Sequence, residues 1–118
     1  MLRLTKSRVG GVLVGSSTLL VAHSERVVQA MAKHSMPAIY GVERYIDAGG
    51  LLIYAPSNRK ALGRAAHQIN RILKGARPAD TPIEQATDVD LVINLQTAKA
   101  LGMAIPQSIL QRADRAIQ

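Results

Sequence analysis

Apolar residues in this chain follow two spacings that alternate along its length. Val12-Leu13-Val14 is a short, largely β-branched run bounded by Gly and Ser, as expected of a buried parallel strand. Met36 to Gly41 reads as a second strand opened by Pro37, Leu51 to Tyr54 as a third, and Val89 to Leu95 as a fourth. Between them the spacing becomes helical. Val27, Val28, Met31 and Ala32 recur on one face, with Glu25 in the first turn, where the helix dipole favours a negative charge. Val42 to Gly50 holds a helical turn or two ending on a glycine pair.

The longest helix is predicted from about Asn58 to Gly75, capped by Ser57 or Asn58 and carrying Leu62, Ala65, Ala66, Ile69, Ile72 and Leu73 on its apolar face. Gly75 stops it, and Pro78 and Pro82 keep the next segment extended. Two closing helices follow, Thr97 to Gly102 and then Pro106 to Ile117, with Pro106 in a first turn. The alternation β-α-β-α-β-α-β-α predicts an α/β fold with a mostly parallel sheet. Ligands of such sheets gather beyond the carboxyl ends of the strands. These ends are Gly15 to Thr18, Tyr40 to Glu43, Tyr54 to Ser57, and Asn94-Leu95.

Composition narrows the function. The chain has 118 residues, which suits one domain. It is 47% hydrophobic but only 3% aromatic, so the core is aliphatic and stacking platforms for single-stranded nucleic acid are scarce. With no cysteine, disulfides, thiolate metal sites and a cysteine nucleophile are excluded. The net charge of +7 raises nucleic acid as a partner. However, Arg59, Lys60, Arg64, Arg71, Lys74 and Arg77 lie at mixed phases on the long helix and its exit, so no nucleic-acid partner is expected. The N-terminal apolar stretch is interrupted by Gly10, Gly11, Gly15, Ser16 and Ser17 and reads as a strand and loop, not a signal peptide.

Catalytic signatures are missing. The sequence Gly15-Ser16-Ser17-Thr18-Leu19 lacks the closing glycine of a nucleophile elbow, and no phosphate-loop or H-E-x-x-H pattern occurs. His23, His34 and His67 are too scattered for metal binding. Glu43 and Asp47 stand at i, i+4, but Arg44 beside Glu43 favours a solvated ion pair. The chain reads as a non-enzyme with no cofactor or metal. Ser16, Ser17, Thr18, Tyr40 and Tyr54, at strand ends, are the candidate ligand contacts; for each tyrosine a core role is the alternative.

The phrases MPAIYG, AGGLLIYAPS, RILKGARPADTPIEQ and LVINLQTAKALGMAIPQSILQRAD together resemble the C-terminal part of the ABC-transporter substrate-binding proteins of the tryptophan and tyrosine type. The resemblance runs from roughly Gly11 onward. It implies part of a type I periplasmic binding fold, a partial three-layer α/β sandwich, with residues 1–118 as a single truncated α/β domain. It also implies a non-catalytic, solute-binding fragment or remnant for a small polar ligand such as an amino acid, an ABC permease as partner of the full-length proteins, and a periplasmic location. Without a signal peptide, this chain is expected to be cytoplasmic if expressed as written. The loop matching Ser16-Ser17-Thr18 usually carries Asp or Asn with Thr, so the two serines point to altered specificity. Tyr54 matches the family's strand-end tyrosine. The resemblance further implies that the long helix packs on sheet residues this chain does not encode. A homodimer exchanging that helix through the 48–58 segment is therefore expected to cover Leu51, Leu52, Ile53, Leu62, Ile69 and Leu73. Two other readings stand: a self-associating module whose ligand site is lost, and, more weakly, a basic nucleic-acid binder.

Overall fold

The computed structural model describes residues 9–85 and 87–118. Elements in chain order are β1 (Val12–Val14), α1 (Thr18–Ala22), α2 (Ser24–Lys33), β2 (Ala38–Tyr40), α3 (Arg44–Asp47), β3 (Leu52–Pro56) and α4 (Asn58–Leu73). After a 3-10 turn at Pro78–Asp80 come β4 (Val89–Asn94), α5 (Leu95–Ala100), α6 (Gln107–Leu110) and β5 (Arg115–Ile117). The chain divides into two compact units. One comprises the described residues up to Ala55 together with Asp90–Gln118, and the other is Pro56–Val89.

Among the described residues, five strands form one sheet in the order β1-β2-β3-β4-β5. β1 runs parallel to β2 with Val14 opposite Tyr40, and β2 parallel to β3 with Tyr40 opposite Ile53. β4 runs parallel to β5, with Asn94 opposite Ile117. Between the two groups the direction reverses. The Asn94 amide, at the end of β4, donates to the Leu51 carbonyl just before β3 (2.9 Å), while the Ser57 amide just after β3 donates to the Asp88 carbonyl just before β4 (3.0 Å). Bonds that pair one strand's start with the other's end belong to an antiparallel ladder. The sheet is therefore mostly parallel, as expected, but Asn94 lies at the opposite end of the sheet from the carboxyl ends of β1, β2 and β3. Asn94-Leu95 therefore does not share the ligand-binding end predicted for it, because an apolar run carries no mark of its strand's direction.

Period-two alternation sets the core. Val14, Ala38, Tyr40, Ile53, Ala55 and Val92 pack with Val28, Met31, Tyr45 and Ile46 of the helices. The other face carries Leu13, Ile39 and Tyr54, all exposed. Besides the 3-10 turn at Pro78–Asp80, where an extended segment is predicted, two elements differ from expectation. A short helix, α1, occupies Thr18–Ala22, within the stretch expected to be strand and loop. The closing helix stops at Leu110, and Arg115–Ile117 forms β5. Asp114 accounts for the second change: its carboxylate accepts the Leu91 amide (2.8 Å) and its own amide donates to the Leu91 carbonyl (2.9 Å). This exchange starts a strand ladder where helix spacing alone would continue a helix.

Asn94 also caps α5, accepting the Thr97 amide at 3.0 Å, and the Thr97 hydroxyl donates to the Gly49 carbonyl at 2.8 Å. In the Pro56–Val89 unit, α4 leaves Leu62, Ile69 and Leu73 exposed, and Arg64 pairs with Asp88. Gly49, Gly75 and Gly102 adopt positive φ just past α3, α4 and α5, as helix-ending glycines do.

Candidate functional site

The polar loop after β1 exists because Gly15 and two serines end a β-branched run and Thr18 starts a new helix. Ser17 holds extended backbone at the N-cap of α1, where its carbonyl accepts the Val21 amide (2.8 Å), but its hydroxyl makes no capping bond. Ser16, Ser17 and Thr18 are exposed, and among the described residues their hydroxyls have no hydrogen-bond partner. The loop after β2 lies against this one. The Gly41 amide donates to the Val14 carbonyl (3.0 Å), and a Cβ built on Gly41 would stand 3.7 Å from the Ser16 amide nitrogen. The two parallel strands thus deliver their polar ends side by side. Glu43, two residues on, pairs with Arg115 of β5 at 3.5 Å, not with its neighbour Arg44. Both partners are about half exposed, so this bridge adds little stability.

The two candidate tyrosines separate. Tyr40 is opposite Ile53, so it shares Ile53's face, and Tyr54, the next residue on β3, lies on the reverse face. Tyr40 is 1% exposed and stacks on Tyr45, with ring centroids 4.6 Å apart and planes at 21°. Burial, and then the neighbouring Tyr45 phenol, push its pKa up to about 12. Burial also raises that of Tyr45, whose hydroxyl is buried without a partner among the described residues. Tyr40 therefore sits in the core behind the end of β2. Tyr54 is 58% exposed. Extending the register by one residue places it level with Gly41 and Gly15, so no side chain flanks its ring at those positions of β2 and β1.

Sequence reasoning missed one cluster. Ser24 and Glu25 open α2, Arg44 and Asp47 lie on α3, and with Ala48 they line a polar cleft of about 280 Å³. Glu25, Arg44 and Asp47 form no ion pair among the described residues. The signal available was Glu25 in a first turn plus the Glu43/Asp47 spacing, but neither shows that the two helices meet. Among the described residues no three His, Cys, Asp or Glu side chains converge as a metal site would require. No helix of the described residues is long and apolar enough to cross a membrane.

Comparison with known proteins places the fold. No curated protein matches the chain significantly. Solved structures do. A conserved domain protein from Vibrio cholerae has a TM-score of 0.77 at 21% identity, over 97% of this chain and 38% of that one. An ABC domain in complex with L-Trp from Streptococcus pneumonia has a TM-score of 0.76 at 30% identity, over 97% and 39%. The ligand-free, open form of a substrate binding protein with adhesive properties from Clostridium difficile has a TM-score of 0.72 at 21% identity, over 98% and 40%. The chain thus spans about two fifths of the length of each. The family described as ABC transporter substrate binding protein matches residues 2–117. On that match, the chain is a member of the ABC transporter substrate-binding protein family.

Proposed function

We propose that this chain recognises a small polar solute, an amino acid, for an ABC-type transport system, and that it does so without catalysis. One observation carries the reading. Three hydroxyls unengaged among the described residues, on Ser16, Ser17 and Thr18, stand at the carboxyl end of β1 against the Gly41 loop at the end of β2. That is where sheets of this type bind ligands. Such hydroxyls donate and accept, so they suit both the carboxylate and the amine of an amino acid. The L-Trp bound to the Streptococcus protein supports the ligand class. Tyr54 is assigned the role of an apolar wall, and Tyr40 that of positioning the end of β2 from behind. Delivery to a permease, in the extracytoplasmic location typical of the family, belongs to the same proposal.

Affinity should be low. The described loops meet a ligand from one side only, and binding pockets normally enclose most of a ligand's surface. Dissociation constants in the ~mM range are expected. Calorimetric titration of amino acids tests this. Ser17→Ala and Tyr54→Ala should each weaken binding several-fold. Micromolar binding that survives both substitutions would overturn the assignment.

A further inference from the structure

We propose that the cleft between the start of α2 and α3 is a second ligand site, taking the ammonium and carboxylate of a small free amino acid. This site is separate from the loops after β1 and β2 and does not depend on them. Its lining, Ser24, Glu25, Arg44, Asp47 and Ala48, belongs to one compact unit. Ser24 carries the argument. It is 5% exposed, yet its hydroxyl makes no hydrogen bond among the described residues. Nor is that hydroxyl sealed in the core: among the described residues, only the Tyr45 hydroxyl is fully buried without a partner. The little exposure that Ser24 keeps therefore opens into the cleft it lines. A buried hydroxyl without a protein partner is costly unless water or a ligand meets it.

The charges around Ser24 match an amino acid. Glu25, Arg44 and Asp47 are exposed at the rim. Arg44 and Asp47 stand i, i+3 on α3, a spacing that allows an ion pair, but none of the three charged groups forms one among the described residues. An ammonium has three donors and no acceptor. The Ser24 hydroxyl and the two carboxylates offer it three acceptors, and the Arg44 guanidinium offers a fork of donors to a carboxylate. The two acids repel an anion that lacks an ammonium, and Arg44 repels a cation that lacks a carboxylate. The cleft therefore selects the zwitterion over either half. At about 280 Å³ it lies just under the usual range of ligand pockets, which suits a small amino acid and not a bulky one. The rim charges are solvated, which weakens each contact, so a dissociation constant on the order of 1–10 mM is expected.

Amide chemical-shift mapping of the isotope-labelled chain at constant ionic strength tests this with L-alanine, methylammonium and acetate as probes. L-alanine should give saturable shifts at Ser24, Glu25, Asp47 and Ala48, and the other two should bind there at least about fivefold more weakly. Arg44→Gln and Asp47→Asn should each weaken L-alanine binding about five- to tenfold, and Ser24→Ala about three- to fivefold, with amides distant from the cleft unmoved. Shifts at Ser16, Ser17, Thr18 and Gly41 report the loop site in the same titration, and Ser17→Ala should leave the cleft's response unchanged, so either site can fail alone. No saturable shift at the four cleft amides up to about 100 mM L-alanine, roughly ten times the weakest expected dissociation constant, would overturn the proposal. So would L-alanine binding that Arg44→Gln leaves unchanged, or equal binding of methylammonium or acetate, which would mark the cleft as a surface of screened charges.

Discussion

Gly50→Ala and Gly63→Ala make the same chemical change with opposite expected outcomes. A Cβ on Gly50 would lie 2.7 Å from the Tyr45 carbonyl oxygen and 3.0 and 3.1 Å from two ring carbons of Tyr40. The carbonyl cannot rotate away, because the Gly50 amide itself donates to it at 2.8 Å. The ring cannot retreat either, since Tyr40 and Tyr45 are stacked and fully buried. Overpacking of this kind costs about 1–3 kcal/mol, and loosening the Gly50–Tyr45 bond adds about 1 kcal/mol. The sum is a loss of about 2–4 kcal/mol. Gly63 lies inside α4 with nothing within 4 Å of an added Cβ, so alanine should raise helix stability by about 0.5–1 kcal/mol. Urea titrations read both effects, with near-ultraviolet dichroism reporting the tyrosine stack and far-ultraviolet dichroism the helices. A Gly50→Ala stability within about 0.5 kcal/mol of the parent would refute the packing behind β2. A destabilising Gly63→Ala would refute the open surroundings of α4.

Two further outcomes follow from the same structure. Folding raises the Tyr40 pKa to about 12, so the stability tied to its neutral phenol is fully present below pH ~10 and is lost as pH rises toward 12, by up to roughly 2–3 kcal/mol; Tyr45 acts in the same direction, and denaturation followed across this range checks it. Asn94→Ala removes the α5 cap and should cost about 1 kcal/mol, with Asn94→Asp retaining most of it, as thermal melts would register.

The parts of this fold that local chemistry controls were legible. β1, β2 and β3 are short apolar runs closed by Gly, Pro or Ser, and Gly75 and Gly102 end helices at positive φ as expected. The parts set by partners distant in the chain were not. Spacing across residues 107–117 does not decide the local structure: Ile109, Leu110, Ala113 and Ile117 fit a helix, and only the Asp114–Leu91 exchange makes a strand of the last residues. Tyr40 and Tyr54 both end apolar runs, and only the pairing of Tyr40 with Ile53 reveals that they face opposite ways. For the candidate site, the loop at residues 16–18 was readable from its hydroxyls at a strand end. The Ser24, Glu25, Arg44 and Asp47 cleft was not, because it depends on two helices about twenty residues apart meeting.

Solute recognition by the loops after β1 and β2 is tested most directly by amide chemical-shift mapping of the isotope-labelled chain titrated with amino acids, L-Trp included. The shifts should saturate in the ~mM range, centre on Ser16, Ser17, Thr18 and Gly41, and shrink in Ser17→Ala. Saturable shifts that centre elsewhere and leave these four amides unmoved, or no saturable shift with any amino acid, would contradict the proposed site and ligand class.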